Sequence, residues 1–409
     1  MAWQESSIVE QRFEFVSLAG AEGANVAALC RRFGISRETG HKWITRFRAE
    51  GKGSLGNRSR RPHTSPARTS EASEKAVLGL RDNHPAWGGR KLRKRLQTLG
   101  EKDVPAASTI TAILRRHQRL SPGESEKHKA FTRFERERPN ELWQMDFKGH
   151  VPMHVGERCH PLTVLDDHSR FAIGLRACAN EQIVTVRTHL TEMFRLYGLP
   201  QRMLCDNGPP WGTTDCMGRH TKLTVWMLRL GVAISHGRPW HPQTQGKEER
   251  FHRTLKAEVL SRQELRDVEH AQRTFDAWRD VYNLERPNEA IGLEVPASRY
   301  TPSERAYPEK LPELEFSPED QVRRVKRDGT LKYLGRLWRV GQAFAHERIG
   351  VRTAAEGVIE VRYGPHVVER FDLAAPPDAA PPRGPRVERD RAQRDRAEPA
   401  GHAEATECQ

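Results

Sequence analysis

The chain has 409 residues, 36% of them hydrophobic, and 68 Lys and Arg against 54 Asp and Glu, a formal charge of +14. That length suits roughly two to four domains, and no apolar run approaches the ~18 residues of a bilayer span, nor do the first residues, MAWQESSIVEQ, have the basic-then-apolar order of a signal peptide. A membrane or secreted class is therefore set aside in favour of a cytoplasmic protein, and six Cys without a C-x-x-C pair argue for reduced core thiols over a disulfide framework or zinc knuckle.

Residues 25–49 predict two helices about a tight turn. Val26, Leu29 and Phe33 repeat at helical spacing, Gly34 suits the left-handed conformation of a helix end, and Ser36 is a natural cap for the helix that follows. That second helix turns Trp43, Ile44 and Phe47 inward and Arg37, His41, Lys42 and Arg46 outward. The arrangement is a helix-turn-helix, whose second helix lays basic side chains into a major groove. A DNA-binding domain is accordingly expected over residues 1–53, followed at 54–70 by an extended basic linker in which Arg58, Arg60 and Arg61 stand ready to track phosphates.

A second helical DNA-binding domain is expected over residues 71–120, with helices near Glu71–Arg81, Gly89–Leu99 and Ala106–His117 and with Arg90, Lys91 and Lys94 on the middle helix facing DNA. Of the basic residues, 53 are Arg, whose planar fork of donors matches phosphate oxygens. Codon bias in a GC-rich genome would give the same excess, so its clustering on these units is what points to a polyanion. Residues 121–140 are polar and read as a linker.

From 141 to 305 the chain changes character. ELWQMDF, PLTVLDD and RFAIGLRA are apolar, β-rich runs, followed by a helix over Glu181–Tyr197 and then by alternating strands and helices to Tyr282. Three antiparallel strands followed by alternating elements predict a mixed α/β sheet. Residues 306–374 alternate apolar and polar in short runs broken by glycines, which predicts a small β-barrel, and the Pro-, Ala- and charge-rich segment 375–409 predicts a disordered tail.

Three carboxylates of the central region could share a metal. Asp146 sits among apolar neighbours in WQMDF, where an acid without a partner is costly; Asp206 ends a strand and opens a turn at a sheet edge. Glu249 lies on a predicted helix beginning near HPQTQGKEER, aligned with His252, Arg253 and Lys256, whereas Glu248 shares the core-facing stripe of Phe251 and Leu255. Carboxylates suit hard divalent cations, and two such ions about 3.5–4 Å apart activate the attacking oxygen and stabilise the leaving oxygen of a phosphoryl displacement. Asp166 and Asp167, in DDHSR, read instead as the turn between two strands, with Arg170 available to an acid.

WQMDFKG, LCDNGPPW and HPQTQGKEERFHRTLK, in this order, resemble the three catalytic motifs of the integrase-core transposases of bacterial insertion sequences, relatives of retroviral integrases with an RNase H-like fold. The likeness runs from about Glu141 to Tyr300 and includes VLDDHSRFAIG and YNLERPNEAIG. It implies that Asp146, Asp206 and Glu249 form a D-D-E triad holding two Mg2+ or Mn2+ ions, with Arg253 and Lys256 beside the DNA. It further implies terminal repeats and target DNA as partners, a homo-oligomer on DNA, and a nucleoid-associated location. Two features depart from the family pattern: the 42 residues between Asp206 and Glu249 are a few more than usual, and Asn288 stands where many relatives have His. A DNA-binding regulator derived from a transposase, and a metal-dependent nuclease without joining activity, are the alternatives.

Overall fold

The computed structural model describes residues 7–59, 69–120, 135–155, 158–213, 220–237, 246–354 and 357–374. Arg60 and Arg61, the loop residues His241, Gln243 and Gln245, and the tail from 375 lie outside the described residues. The chain divides into two compact units, Met1–Thr69 and Ser70–Gln409.

In the first unit, helices α1 (Ile8–Ala19), α2 (Val26–Arg32) and α3 (Arg37–Glu50) close on a short 3-10 turn at Lys52–Leu55. Each begins at a capping side chain: Ser7 in a reciprocal box with Glu10, Asn25 accepting from the Ala28 amide, and Ser36 accepting from the Thr39 amide at 3.1 Å. Between α2 and α3 the chain turns at Gly34, whose φ of +66° is the left-handed geometry expected of it. Phe15, Val16, Cys30, Trp43, Ile44 and Leu55 form the core. At Gly40 a Cβ would lie 2.5 Å from Cys30 Sγ and 2.9 Å from Phe15 Cζ, so α3 packs there by virtue of having no side chain.

The second unit opens with α4 (Glu71–Asn83), α5 (Gly89–Thr98) and α6 (Ala107–Arg116) around Val77, Trp87, Leu92, Leu96, Ile110 and Ile113. Buried Arg81 donates to the Trp87 and Arg119 carbonyls at 2.7 and 2.8 Å, tying the loop after α4 to the end of α6. This bundle leans on the central region, where Val281 joins its core.

The central region holds β1 (Trp143–Phe147), β2 (Val151–Pro152), β3 (Arg158–Asp166), β4 (Ala172–Cys178), α7 (Ile183–Tyr197), β5 (Arg202–Cys205), α8 (Lys222–Arg229), β6 (Ala233–His236), α9 (Gly246–Leu255), a π-helical turn at Lys256–Leu260, and α10 (Val268–Leu284). The main sheet runs β4-β3-β1-β5-β6, antiparallel from β4 to β1 and parallel from β1 to β6, with β2 pairing only the start of β3. The expected mixed sheet is therefore present. Alternation sorts its faces: Trp143, Met145, Leu162 and Val164 pack with Phe194 of α7 and Trp226 of α8, while Leu165 and Leu175 pack with Phe251 and Leu255 of α9 and Phe275 of α10.

At the C-terminal end, β7 (Gln321–Arg324), β10 (Arg348–Thr353), β11 (Val358–Tyr363) and β12 (His366–Asp372) form an antiparallel sheet of order β12-β11-β10-β7. Strands β8 (Thr330–Tyr333) and β9 (Arg336–Arg339) pair only with each other. The expected small barrel is thus corrected to an open sheet and a hairpin. Leu331, Tyr333 and Trp338 of the hairpin fill the core against Ile349, Val351 and Val361, and Val225 and Leu228 of α8 complete it, so the apolar face is covered without closure. Alternating polarity marks one buried face; it does not say what covers it.

Gly40→Ala is expected to destabilise the first unit by roughly 1–3 kcal/mol through overpacking. Gly40→Ala combined with Cys30→Ala should recover part of that loss, as read from thermal unfolding of the two variants.

Candidate active site

Adjacent strands β1 and β5 run parallel, with Gln144 opposite Leu204, so two residues further along each chain Asp146 and Asp206 come side by side. Neighbouring strands lie only about 4.8 Å apart, which places the two acids within strong mutual influence. Burial, and then the charge of Asp206, push Asp146 up to about 7, and burial also raises Asp206. The turn after β5 is built to present Asp206. Its carboxylate accepts from the Gly208 amide at 3.1 Å, His236 Nδ1 lies 2.8 Å from its carbonyl, and Trp211 is buried against the ring of Phe147, centroids 5.6 Å apart. The tryptophan of the second motif thus packs on the phenylalanine beside the acid of the first.

Helix α9 crosses the same face of the sheet. Its first turn offers two carboxylates, and they part ways: Glu249 is exposed, whereas Glu248 is buried. Thr163, opposite Asp146 in the strand register, holds Glu248 in place. Thr163 Oγ1 lies 3.0 Å from the Asp146 carbonyl, 2.9 Å from Glu248 Oε2 and 2.8 Å from His252 Nε2. One hydroxyl proton cannot serve three such partners. Burial, with the charge of Asp146 adding to it, raises Glu248 well above the ordinary carboxylate range. His252 is held down to about 4 by burial and the nearby Lys148, which keeps it neutral, and its Nδ1 lies 4.0 Å from Asp146 Oδ2.

The structure therefore brings Asp146 and Asp206 together and leaves Glu249 on the exposed side of α9 with Arg253 and Lys256, as the helical spacing anticipated. His252 departs from that stripe: one turn beyond Glu248, it turns inward to Thr163. Among the described residues no group of three or more His, Cys, Asp or Glu is gathered as a metal-holding cluster. The Asp146–Asp206 pair nonetheless has the donor chemistry for a hard divalent cation, since such an ion would relieve the repulsion that raises Asp146. Lys148, Thr163 and His236 escaped the sequence reading, whereas Glu248 is on the core side that its helical phase gave it. Lys148 stands in the first motif itself, but nothing in its spacing marks it.

The expected DNA contacts divide into two groups. Arg37, His41 and Lys42 are exposed on α3, and the Arg46 guanidinium stacks 5.0 Å from the Trp43 ring centre. Arg58 forms an ion pair with Glu50, while Arg90 is exposed on α5. Arg93 is exposed as well, but three other α5 cations face the central region: Lys94 bonds Glu294 at 2.6 Å, Arg95 bonds Glu285 at 2.5 Å, and Lys91 is buried enough to bring it down to about 8. Asn288 accepts from the Ala290 amide at 3.0 Å and donates its own amide to the Glu294 carbonyl at 3.0 Å, a turn-capping role. Glu294 itself is the partner of Lys94.

Because the folded state raises Asp146, its protonated form adds stability below the unfolded value of 3.8, and that contribution is lost as pH rises through about 7. Buried His252 acts oppositely, its contribution being lost as pH falls from 6.5 through about 4. Asp146→Asn isolates the first effect. In chelator, the variant is expected to melt above the parent at pH 8, with the gap closing by pH 5, in paired thermal scans.

Residues 136–242 match the integrase core domain family and residues 230–296 match a second family of that description. Residues 11–63 match a helix-turn-helix domain, 39–114 a homeodomain-like domain, and 320–377 the C-terminal domain of IS481 family transposases. A protein of insertion element IS407 from Burkholderia multivorans is 27% identical over 39% of this chain and 54% of its own length. One from insertion element IS476 of Xanthomonas euvesicatoria is 23% identical over 67% of this chain and 78% of its own. The chain thus spans about half of the first relative and more of the second. Among solved structures, the catalytic core of BIV integrase covers 39% of this chain over 92% of its own, at 21% identity and a TM-score of 0.30. An integrase core, helix-turn-helix domains before it and an IS481-type C-terminal domain after it are thus what this chain matches, and together with the insertion-element relatives they support the resemblance to the integrase-core transposases of bacterial insertion sequences.

Proposed function

We propose that the chain binds the ends of an insertion element and catalyses metal-dependent cleavage at their 3′ ends, followed by strand transfer into target DNA. The observation that carries this reading is the pairing of Asp146 with Asp206 on neighbouring parallel strands, where burial and the charge of Asp206 raise Asp146 in spite of the nearby Lys148. Asp146 and Asp206 hold Mg2+ or Mn2+, two ions per site, with Glu249 as the third carboxylate. When bound, the ions activate the attacking oxygen and stabilise the leaving one. The chemistry is two phosphoryl substitutions. Water first cleaves a phosphodiester to free a 3′-OH, and that hydroxyl then bonds to a target phosphorus while the target P–O3′ bond breaks.

The chain's own groups position rather than attack. Glu249, Arg253 and Lys256 share the exposed side of α9, so a backbone lying there meets two cations beside the third acid. Neutral His252 and Thr163 hold α9 to β1 at Asp146, and Trp211 on Phe147 keeps the second acid beside the first. The exposed face of α3, with Arg37, His41 and Lys42, and the basic linker read the element end. Joining two ends calls for two such sites, hence a homo-oligomer on DNA, working at the bacterial nucleoid.

The test is incubation of purified protein with labelled end DNA, with and without Mg2+ or Mn2+, resolving bound, nicked and joined species. Asp146→Asn and Glu249→Gln are expected to lower joining by about 10^3-fold or more while end binding stays within about threefold. Glu248→Gln, which keeps the bonds to Thr163, should retain most activity. Binding without nicking would favour a regulator, nicking without joining a nuclease, and full joining by Asp146→Asn would overturn the assignment.

A further inference from the structure

Asp166 and Asp167, at the end of β3, do more than shape the turn into β4. Both are fully buried, and they divide their bonds between different parts of the chain. Asp166 serves the turn itself: it accepts from the Ser169 amide and hydroxyl at 2.8 and 2.6 Å, and from the Asn140 amide at 2.8 Å. Arg170 goes to Glu135 at 3.2 Å, and Arg299 reaches the same Glu135 at 2.9 Å. Asp167 looks outward from the turn to three separate segments. Its Oδ2 accepts from the Arg136 amide at 2.9 Å, its Oδ1 accepts from Gln144 Nε2 at 2.6 Å, and the same Oδ1 takes an ion pair from Lys247 in the first turn of α9.

Each of these partners leads to something the proposed chemistry uses. Gln144 is two residues before Asp146 on the same face of β1, and Lys247 is two residues before Glu249. Arg136 lies in the segment that delivers the chain from the helical bundle into the sheet. The Lys247 side chain is 17% exposed and that of Asp167 only 1%, so the pair is largely shielded from water. A buried ion pair gains little net stability over an apolar pair of the same volume, while it fixes relative position tightly. Here the position it fixes is that of a helix whose N-terminal turn holds two adjacent carboxylates with opposite fates. A rotation of α9 by one residue, about 100°, would exchange Glu248 and Glu249 between core and solvent. Thr163 holds the helix at Glu248 and His252, on the side facing Asp146. Asp167 adds a second anchor through the residue before Glu248, and two anchors at different azimuths are what it takes to stop a helix from rolling.

We propose that Asp167 is a positioning residue: through Lys247 it locks the rotation of α9 so that Glu248 stays against Thr163 and Glu249 stays on the exposed side, and through the Arg136 amide it ties that lock to the segment that leads into β1. The inference rests on Glu249 being the third carboxylate of the active site. It extends that reading to a residue which touches neither metal nor DNA.

The test uses the full chain and three variants: Asp167→Asn, Lys247→Met, which keeps the aliphatic stem, and Lys247→Arg, which keeps the charge. Amide hydrogen exchange over residues 250–255 is expected to speed up by about tenfold in Asp167→Asn and Lys247→Met, with β1 and β3 unchanged and Lys247→Arg close to the parent. In the cleavage assay the Mn2+ concentration giving half-maximal rate should rise by about tenfold in the first two variants, with end-DNA affinity within about twofold of the parent. Should Asp167→Asn prove too unstable to purify, Lys247→Met and Lys247→Arg still carry the comparison. Unchanged exchange of α9 in Lys247→Met would overturn the inference. So would a loss of end-DNA affinity in step with cleavage, which would make Lys247 a DNA contact. If the parent neither cleaves nor joins with any divalent metal, the catalytic reading fails by itself, and the exchange data still decide whether Asp167 holds the helix.

Discussion

Two carboxylates on neighbouring parallel strands set the terms for everything around them. The register that pairs β1 with β5 leaves Asp146 and Asp206 abreast, one of them raised to about 7 by burial and by the other's charge. Such a pair costs free energy in the folded protein and has to be held together by packing elsewhere. Trp211 against Phe147 and the Gly208 amide on Asp206 do so on one side, and Thr163 at the Asp146 carbonyl does so on the other. The stored repulsion is also what gives the site its chemical inclination, since a divalent cation relieves it.

The helix laid over this pair illustrates how a difference of one residue separates roles. Glu248 and Glu249 are chemically alike, yet 100° of helical rotation sends the first against Thr163 and leaves the second in water beside Arg253 and Lys256. Glu248 and His252 meet at the buried Thr163 hydroxyl, and to be ionised there would be costly for either. On the proposed chemistry, the acid that meets a metal and a phosphodiester takes the other position. Polar anchors, not apolar packing alone, thus decide which carboxylate is offered.

Basic residues follow a similar division of labour. On α3 the cations stand exposed along the outer face of a helix whose other side is the core of its unit. On α5 the cations at 94 and 95 meet Glu294 and Glu285, and Asn288 caps the turn that carries Glu294. Partly exposed pairs of this kind contribute about 0–1 kcal/mol each, so their value lies in register between the bundle and the sheet more than in stability. A composition rich in Arg therefore serves docking within the chain as well as the proposed contact with DNA.

Local rules carried the sequence a long way. The cap at Ser36, the left-handed Gly34, helical spacing in 71–116 and the apolar runs of the sheet are all short-range signals, and the elements they predicted are present. The Ser7–Glu10 box of α1 was equally legible and was overlooked. The motif order pointed to the acids, and helical phase correctly set Glu249 apart from Glu248. Other features depend on contacts between residues far apart in the chain, to which periodicity is blind. The C-terminal strands form an open sheet because a hairpin and α8 cover its face; Lys94 turns to Glu294, 200 positions away. Buried Asp167 holds Lys247 from 80 positions away, a partnership that only the folded chain creates by excluding water from both.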